Sequence, residues 1–341
     1  MRARIYRVAC AALILGLICY PADAPIAARE ALAVWANSFA PAMLPYFVVL
    51  PALSCEDAAR LYARLFGRAL GAVAGCPGQA AGAIVAGMLS GSPAGAITLS
   101  NLSARGGFTR ASLTRAAVLC GGLSPAFLLS AVGAGMLGAP GDGVILLRAQ
   151  LIATALCALI LRRAFARQDA PVPALEAGQP AGGGVSAAAA SLLNVCVYMV
   201  LFGVISRILT RVVPLGAAEP FVLALTETAG GCAAVAGLAL PRGARLVLLS
   251  FFCGFGGLSV AAQNLSRLRA AGVRALDLLG GRLLSGALCA AVCACQLRLG
   301  VGGVQTAFAT LSPFNRSGVI AAALLAALGA ALVFFSKKST Q

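Results

Sequence analysis

Long apolar runs fill this chain, and a bilayer leaves such runs few ways to fold. After an N-terminal apolar stretch they lie near 31–53, 79–98, 112–137, 143–164, 187–212, 219–239, 244–263, 277–297 and 318–336, about ten in all. Lipid offers no water to backbone N–H and C=O groups, so a spanning segment must be a helix or part of a closed barrel. A helix needs about 20 predominantly apolar residues to cross, whereas barrel strands alternate over about ten. These runs are of the first kind. Only 11% of residues are charged, against about 25% in soluble domains. The expected fold is an all-α polytopic membrane protein with about 8–10 hydrophobic segments.

The 26 basic residues outnumber the 10 acidic ones, and only Lys337 and Lys338 are lysines. The arginines lie in the loops between apolar runs, where they fix orientation and meet anionic head groups; a nucleic-acid partner is not expected. Histidine is absent, which excludes a Ser-His-Asp triad, His-ligated zinc and a histidine proton relay. The twelve cysteines are scattered through apolar segments without CxxC pairs and read as buried small thiols. No nucleophile–base pair, paired carboxylates or metal cluster stands out. The expectation is a protein that is not an enzyme and needs no cofactor or metal. Its partners are then a small solute and membrane lipid, with homo-oligomer formation left open.

Residues 1–24 place Arg2, Arg4 and Arg7 before an apolar core and Ala22-Asp23-Ala24 after it. That layout serves a cleaved signal peptide or an uncleaved anchor span. In a chain of many spans the anchor is preferred, with a cytoplasmic N-terminus. In 31–53, Pro41, Pro45 and Pro51 each remove a backbone donor and argue against a regular helix. The carbonyls they free need partners, which places this segment inside the bundle. Farther on, Arg60, Arg64 and Arg68 share one helical face and Leu61, Leu65 and Leu70 an apolar stripe, predicting an interfacial amphipathic helix over Glu56–Arg68. Residues 166–186 turn rich in Pro and Gly, a flexible linker between the halves 25–165 and 187–300. A final span and basic tail occupy 301–341.

Each half carries a glycine-rich interruption, GSPAGAITLSNLS from Gly91 and GFGGLSVAAQNLS from Gly254. Gly87, Gly91 and Gly95, four apart, support two readings. One is a small-residue face for close helix packing. The other is a broken helix whose free N–H groups and positive dipole end attract an anion. Pro93, suited to a helix's first turn, and the echo at Gly254, Gly256 and Gly257 favour the break. Ser92, Pro93, Gly95, Thr98, Ser100 and Asn101 then face Gly256, Gly257, Ser259, Gln263 and Asn264 as a substrate-binding set, with inter-helix hydrogen bonding as their alternative use.

A further interruption, Gly121-Gly122 with Ser124-Pro125, adds Ser124 to that set. Glu227, between Thr226 and Thr228, is the most isolated acid; a carboxylate at mid-bilayer costs about 2.5–3.5 kcal/mol, so it reads as functional. Glu227 and Thr228 form the expected coupling site for a proton or cation, the alternative being a salt bridge from Glu227 to Arg207 or Arg211. Asp142, Asp169, Glu176 and Asp277 read as loop or helix-end charges. The two motif segments are third and eighth in order. That odd separation orients the halves oppositely, an inverted repeat with broken or re-entrant helices.

The stretches FAPAMLPYFVVLPALS, GMLSGSPAGAITLSNL, LSPAFLLSAVGAGM and CGFGGLSVAAQNLSRL, in this order, resemble the sporulation integral membrane protein YlbJ family. That family contains nucleoside-recognition (Gate) domains and is similar in plan to concentrative nucleoside transporters. Pro93, Gly95 and Ala96 match its glycine–aromatic–proline–x–glycine–alanine signature, with Ser92 in place of the aromatic. Gly121 and Gly122 stand where the family tends to carry asparagine-type residues, and Glu227-Thr228 matches its intramembrane acid followed by a hydroxyl. The resemblance implies Gate-like repeats at 25–165 and 187–300 and a role in endospore formation. It further implies transport of a small anionic solute, dipicolinic acid, across the mother-cell-derived outer forespore membrane. A non-transporting scaffold for spore maturation and a nucleoside-type transporter are the alternatives.

Overall fold

A helix that breaks inside lipid frees backbone groups that other parts of the protein must meet, and the architecture follows that requirement. The computed structural model describes residues 2–41, 44, 47–48, 56–164 and 185–300. Among the described residues there is no strand. Pro45, Pro51, nearly all of the expected linker 166–186 and the expected last span and tail at 301–341 lie outside them. Residues up to Leu299 form one compact unit.

Helix α1 (Arg2–Cys19) bends by 106° into α2 (Asp23–Val34). Helix α2 runs on through a π-helical turn, Trp35–Phe39, just before Pro41. The expected amphipathic segment is α3 (Glu56–Ala74), longer than the sequence indicated, with Leu61 and Leu65 exposed. The first glycine interruption separates α4 (Ala80–Ser90) from α5 (Ala94–Ser103). Helix α6 (Arg110–Leu119) starts from a capping box: Thr109 Oγ1 accepts from the Ser112 amide, and Ser112 Oγ accepts from the Thr109 amide. After a second interruption comes a π-helical stretch, Phe127–Met136, and then α7 (Pro140–Ala164).

The second half comprises α8 (Val185–Val212), α9 (Glu219–Thr226), α10 (Thr228–Ala236), α11 (Arg242–Phe255), α12 (Gly257–Leu268) and α13 (Ala275–Arg298). Among the described residues four helical segments are long and apolar enough to cross a membrane: Pro140–Ala164, Ala188–Val212, Arg242–Leu268 and Ala275–Arg298. The bent α1–α2 pair adds a fifth if it acts as one span.

Packing relies on small residues, as expected where lipid removes any hydrophobic drive between helices. A Cβ on Gly87 would lie 2.2 Å from the Cys120 carbonyl oxygen, and one on Gly95 would lie 2.5 Å from the same atom. On Gly254 it would meet Cys289 Sγ at 2.6 Å. All three glycines sit at close contacts between helices. A buried cluster of Phe47, Ala86, Ala94, Leu192, Val195 and Met199 surrounds the ends of α4 and α5 and brings α8 against them. Asp142, read from sequence as a loop or helix-end charge, does sit in the first turn of α7, but it is buried and ion-paired with Arg242.

Candidate functional site

Four helix interruptions meet at one place. The first is Gly91-Ser92-Pro93, where Gly91 has φ +74° and the Ser92–Pro93 bond is cis. The second is Gly121–Ser124. The third is Glu227, whose extended backbone (φ −130°, ψ 127°) separates α9 from α10. The fourth is Gly256-Gly257, at φ +83° and +71°. A side chain lacking only at glycine makes these positive angles accessible.

The breaks satisfy one another's backbone. The Ser92 amide donates to the Gly122 carbonyl at 2.9 Å. Ser92 Oγ donates to Asn264 Oδ1 at 2.5 Å, which ties the two glycine motifs together. Thr228 Oγ1 donates to the Gly256 carbonyl at 2.5 Å. The Glu227 carboxylate accepts from the Ala229 and Gly230 amides at 3.0 and 2.6 Å, capping the N-terminus of α10. Ser124 Oγ accepts from the Phe127 amide at 3.1 Å.

Between the breaks lies a cavity of ≈ 50 Å³, its polar wall formed by Ser90, Ser92, Ser124, Thr228, Ser259 and Gln263 together with Glu227. That is room for about three waters at ~15 Å³ each, or for one carboxylate group. Ser90 is 3% exposed and its hydroxyl has no hydrogen-bond partner among the described residues. Ser259 and Gln263, 2% and 3% exposed, face the same space, and no hydrogen bond ties either side chain to another described residue. Glu227 and Ala229 also line a second cavity of ≈ 220 Å³ beside α2 and α8, with Glu30, Ser206, Arg207, Thr210 and Glu219 in its wall.

The sequence-selected residues divide into three groups. Ser92, Ser124, Ser259, Gln263, Glu227 and Thr228 line the inner cavity. Asn264, Gly256 and Gly257 stand behind it: Asn264 is 1% exposed and holds Ser92, and Gly257 leaves room for Thr228 Oγ1, which a Cβ there would meet at 2.7 Å. Pro93, Gly95, Thr98 and Asn101 do not line it. Thr98 bonds back to the Ala94 carbonyl within its own helix, and Asn101 is exposed. The Asn-Leu-Ser echo is therefore asymmetric in space, with Asn264 inside and Asn101 outside. The salt-bridge alternative for Glu227 also finds its partners taken. Arg207 pairs with Glu30 at 2.7 Å and Arg211 with Asp23 at 2.9 Å.

Three further residues belong to the site without a motif in the sequence that marks them. Gln150, in α7, accepts from the Leu123 amide at 3.2 Å and donates to its carbonyl at 2.7 Å, satisfying the second break. Arg282, in α13, is 4% exposed. It donates to the carbonyls of Phe255, Val118 and Gly254, so its charge rests on the negative ends of α11 and α6. The third is Ser90. A lone Gln or Arg inside an apolar span was a legible signal, because such residues rarely face lipid; for Ser90 there was none. Asn264→Ala leaves the Ser92 hydroxyl without its acceptor and is expected to lower stability in detergent by about 1 kcal/mol. An unchanged thermal midpoint would show that this strut carries no load.

Fold and site together define a multi-pass helical membrane protein whose helices break at a shared polar centre. No family model matches the chain, and no solved structure matches it. Over 312 aligned residues it is 22% identical to the sporulation integral membrane protein YlbJ of Bacillus subtilis (strain 168), covering 79% of this chain and 76% of that protein. The similarity agrees with the family that the four motif stretches resemble.

Proposed function

We propose that the protein is a transporter of a small anionic solute, with dipicolinate as cargo, in the membrane around the forespore. One observation carries this reading: four broken helices converge on a polar cavity that keeps the hydroxyl of Ser90 buried without a partner among the described residues. A buried polar group without a partner costs about 1–3 kcal/mol; Thr114 and Gln296 bear that cost elsewhere in the fold, whereas Ser90 bears it in the wall of a polar cavity between helix breaks. Broken helices around a polar centre are the usual construction of substrate sites in secondary transporters. The relative's name places that protein in sporulation and in a membrane, which supports a membrane role in sporulation for this chain.

Dipicolinate is a planar dianion too large for the inner cavity alone. One carboxylate fits there, and the ring extends past Glu227 into the larger cavity. The two halves act as inverted repeats that rock about the breaks, and Glu227 with Thr228 takes up the coupling proton or cation. The packing of Gly87, Gly95 and Gly254 also suits a scaffold, but a scaffold gives no use to a polar cavity set between four helix breaks.

Purified protein in liposomes tests the reading. Wild type is expected to accumulate radiolabelled dipicolinate, and Glu227→Gln to slow initial uptake at least tenfold. Uptake equal to that of empty liposomes would overturn the transporter; equal uptake by wild type and Glu227→Gln would remove the coupling role.

A further inference from the structure

Glu227 does for α10 what a bound anion does at other helix N-termini. Its two carboxylate oxygens take the amides of Ala229 and Gly230, at 3.0 and 2.6 Å, at the start of a nine-residue helix. A negative charge is favoured there by the free N–H groups and the helix dipole. Most N-caps are short Ser, Thr, Asp or Asn side chains; a longer glutamate has the reach to leave and return.

Two observations indicate that this carboxylate shares its place with a visitor. The Ser90 hydroxyl, 3% exposed and without a partner among the described residues, belongs to the wall of the inner cavity that Glu227 and Ala229 also line. Glu227 also borders the larger cavity, whose wall includes Ser206, Arg207, Glu30 and Glu219, so its side chain has somewhere to go.

We propose that Glu227 is a displaceable internal occupant of an anion subsite. A solute carboxylate enters where the two cavities meet at Glu227 and Ala229, takes the Ala229 and Gly230 amides in place of Glu227, and is met from the inner cavity by Ser90. Glu227 turns into the larger cavity, toward Arg207 and Ser206. This rests on the reading of the cavity as a solute site, and it makes the cap a competitor of the solute rather than a ligand to it.

Binding of acetate and of dipicolinate to the purified full-length protein in detergent, measured by calorimetry, tests the competition. Glu227→Ala is expected to bind acetate about fivefold or more tightly than wild type, the strength of one lost competing cap. Adding Ser90→Ala in that background is expected to return the affinity several-fold toward the wild-type value. Equal or weaker binding by folded Glu227→Ala overturns the proposal. Should that variant not fold, Glu227→Gln, which keeps a capping oxygen and removes the charge, must still tighten acetate binding, and no tightening there is equally decisive against it. Acetate tightening without dipicolinate uptake in liposomes would retain the subsite and refute the cargo. Dipicolinate uptake without acetate tightening would do the reverse.

Discussion

Gly231→Ala is expected to disrupt the fold, whereas Gly230→Ala, one residue earlier, is expected to leave it standing. A Cβ on Gly231 would lie 2.1 Å from Ala224 Cα, 2.4 Å from Ala224 N and 2.7 Å from the Leu223 carbonyl carbon. All three are backbone atoms of α9, so no rotamer change relieves the contact, and α9 and α10 must separate at the Glu227 break. Overpacking a well-filled core costs about 1–3 kcal/mol when side chains can yield; against backbone the loss is expected at the top of that range or beyond. On Gly230 the added carbon meets only Glu227 Oε2, at 3.2 Å. That variant should keep its thermal midpoint within a few degrees while loosening the Glu227 cap. Thermal unfolding of both variants in detergent checks the contrast. Similar midpoints for the pair would show that the two helices do not meet as described.

Arg282→Met carries the second large effect. Methionine fills much of the same volume, but it donates nothing to the carbonyls of Gly254 and Phe255, which close α11 at the fourth break. Each buried acceptor left without a donor costs about 1–3 kcal/mol, so a loss on the order of 3 kcal/mol is expected. Arg282→Lys should recover only part of it. An ammonium is a point donor on a flexible stem and cannot reproduce the planar fork that spans carbonyls of two helices. The packing of α11 against α13 is the most extensive in the fold, so the damage should appear as lower yield and lower melting temperature rather than as a change in solute preference alone. Full stability in the methionine variant would contradict the role assigned to this arginine.

The sequence located most of the breaks but misread one. Pro93 and the glycines at Gly91, Gly256 and Gly257 are local signals, because positive φ angles and a missing amide act on the residue that bears them. Gly121-Gly122 before Ser124-Pro125 marked the second interruption in the same way. In the sequence Glu227 reads as an isolated intramembrane acid within a continuous span, yet it is itself the interruption. Glutamate has no backbone signature of its own, and its extended conformation is held by the amides of the next helix, a contact that only the folded turn creates.

Composition and run length by themselves settled that this chain is a helical membrane protein, because lipid restricts unpaired backbone whatever the tertiary arrangement. Local chemistry settled where its helices give way. The tertiary structure decided which members of a duplicated motif face the centre. Asn101 and Asn264 occupy matching places in the sequence, but only Asn264 reaches Ser92, and Gly95 serves packing while Gly257 leaves room for a threonine. It also decided that Gln150, Arg282 and Ser90, from three separate helices, belong to one centre. Those assignments depend on which helix lies against which, and periodicity within a single helix holds no information about its neighbour.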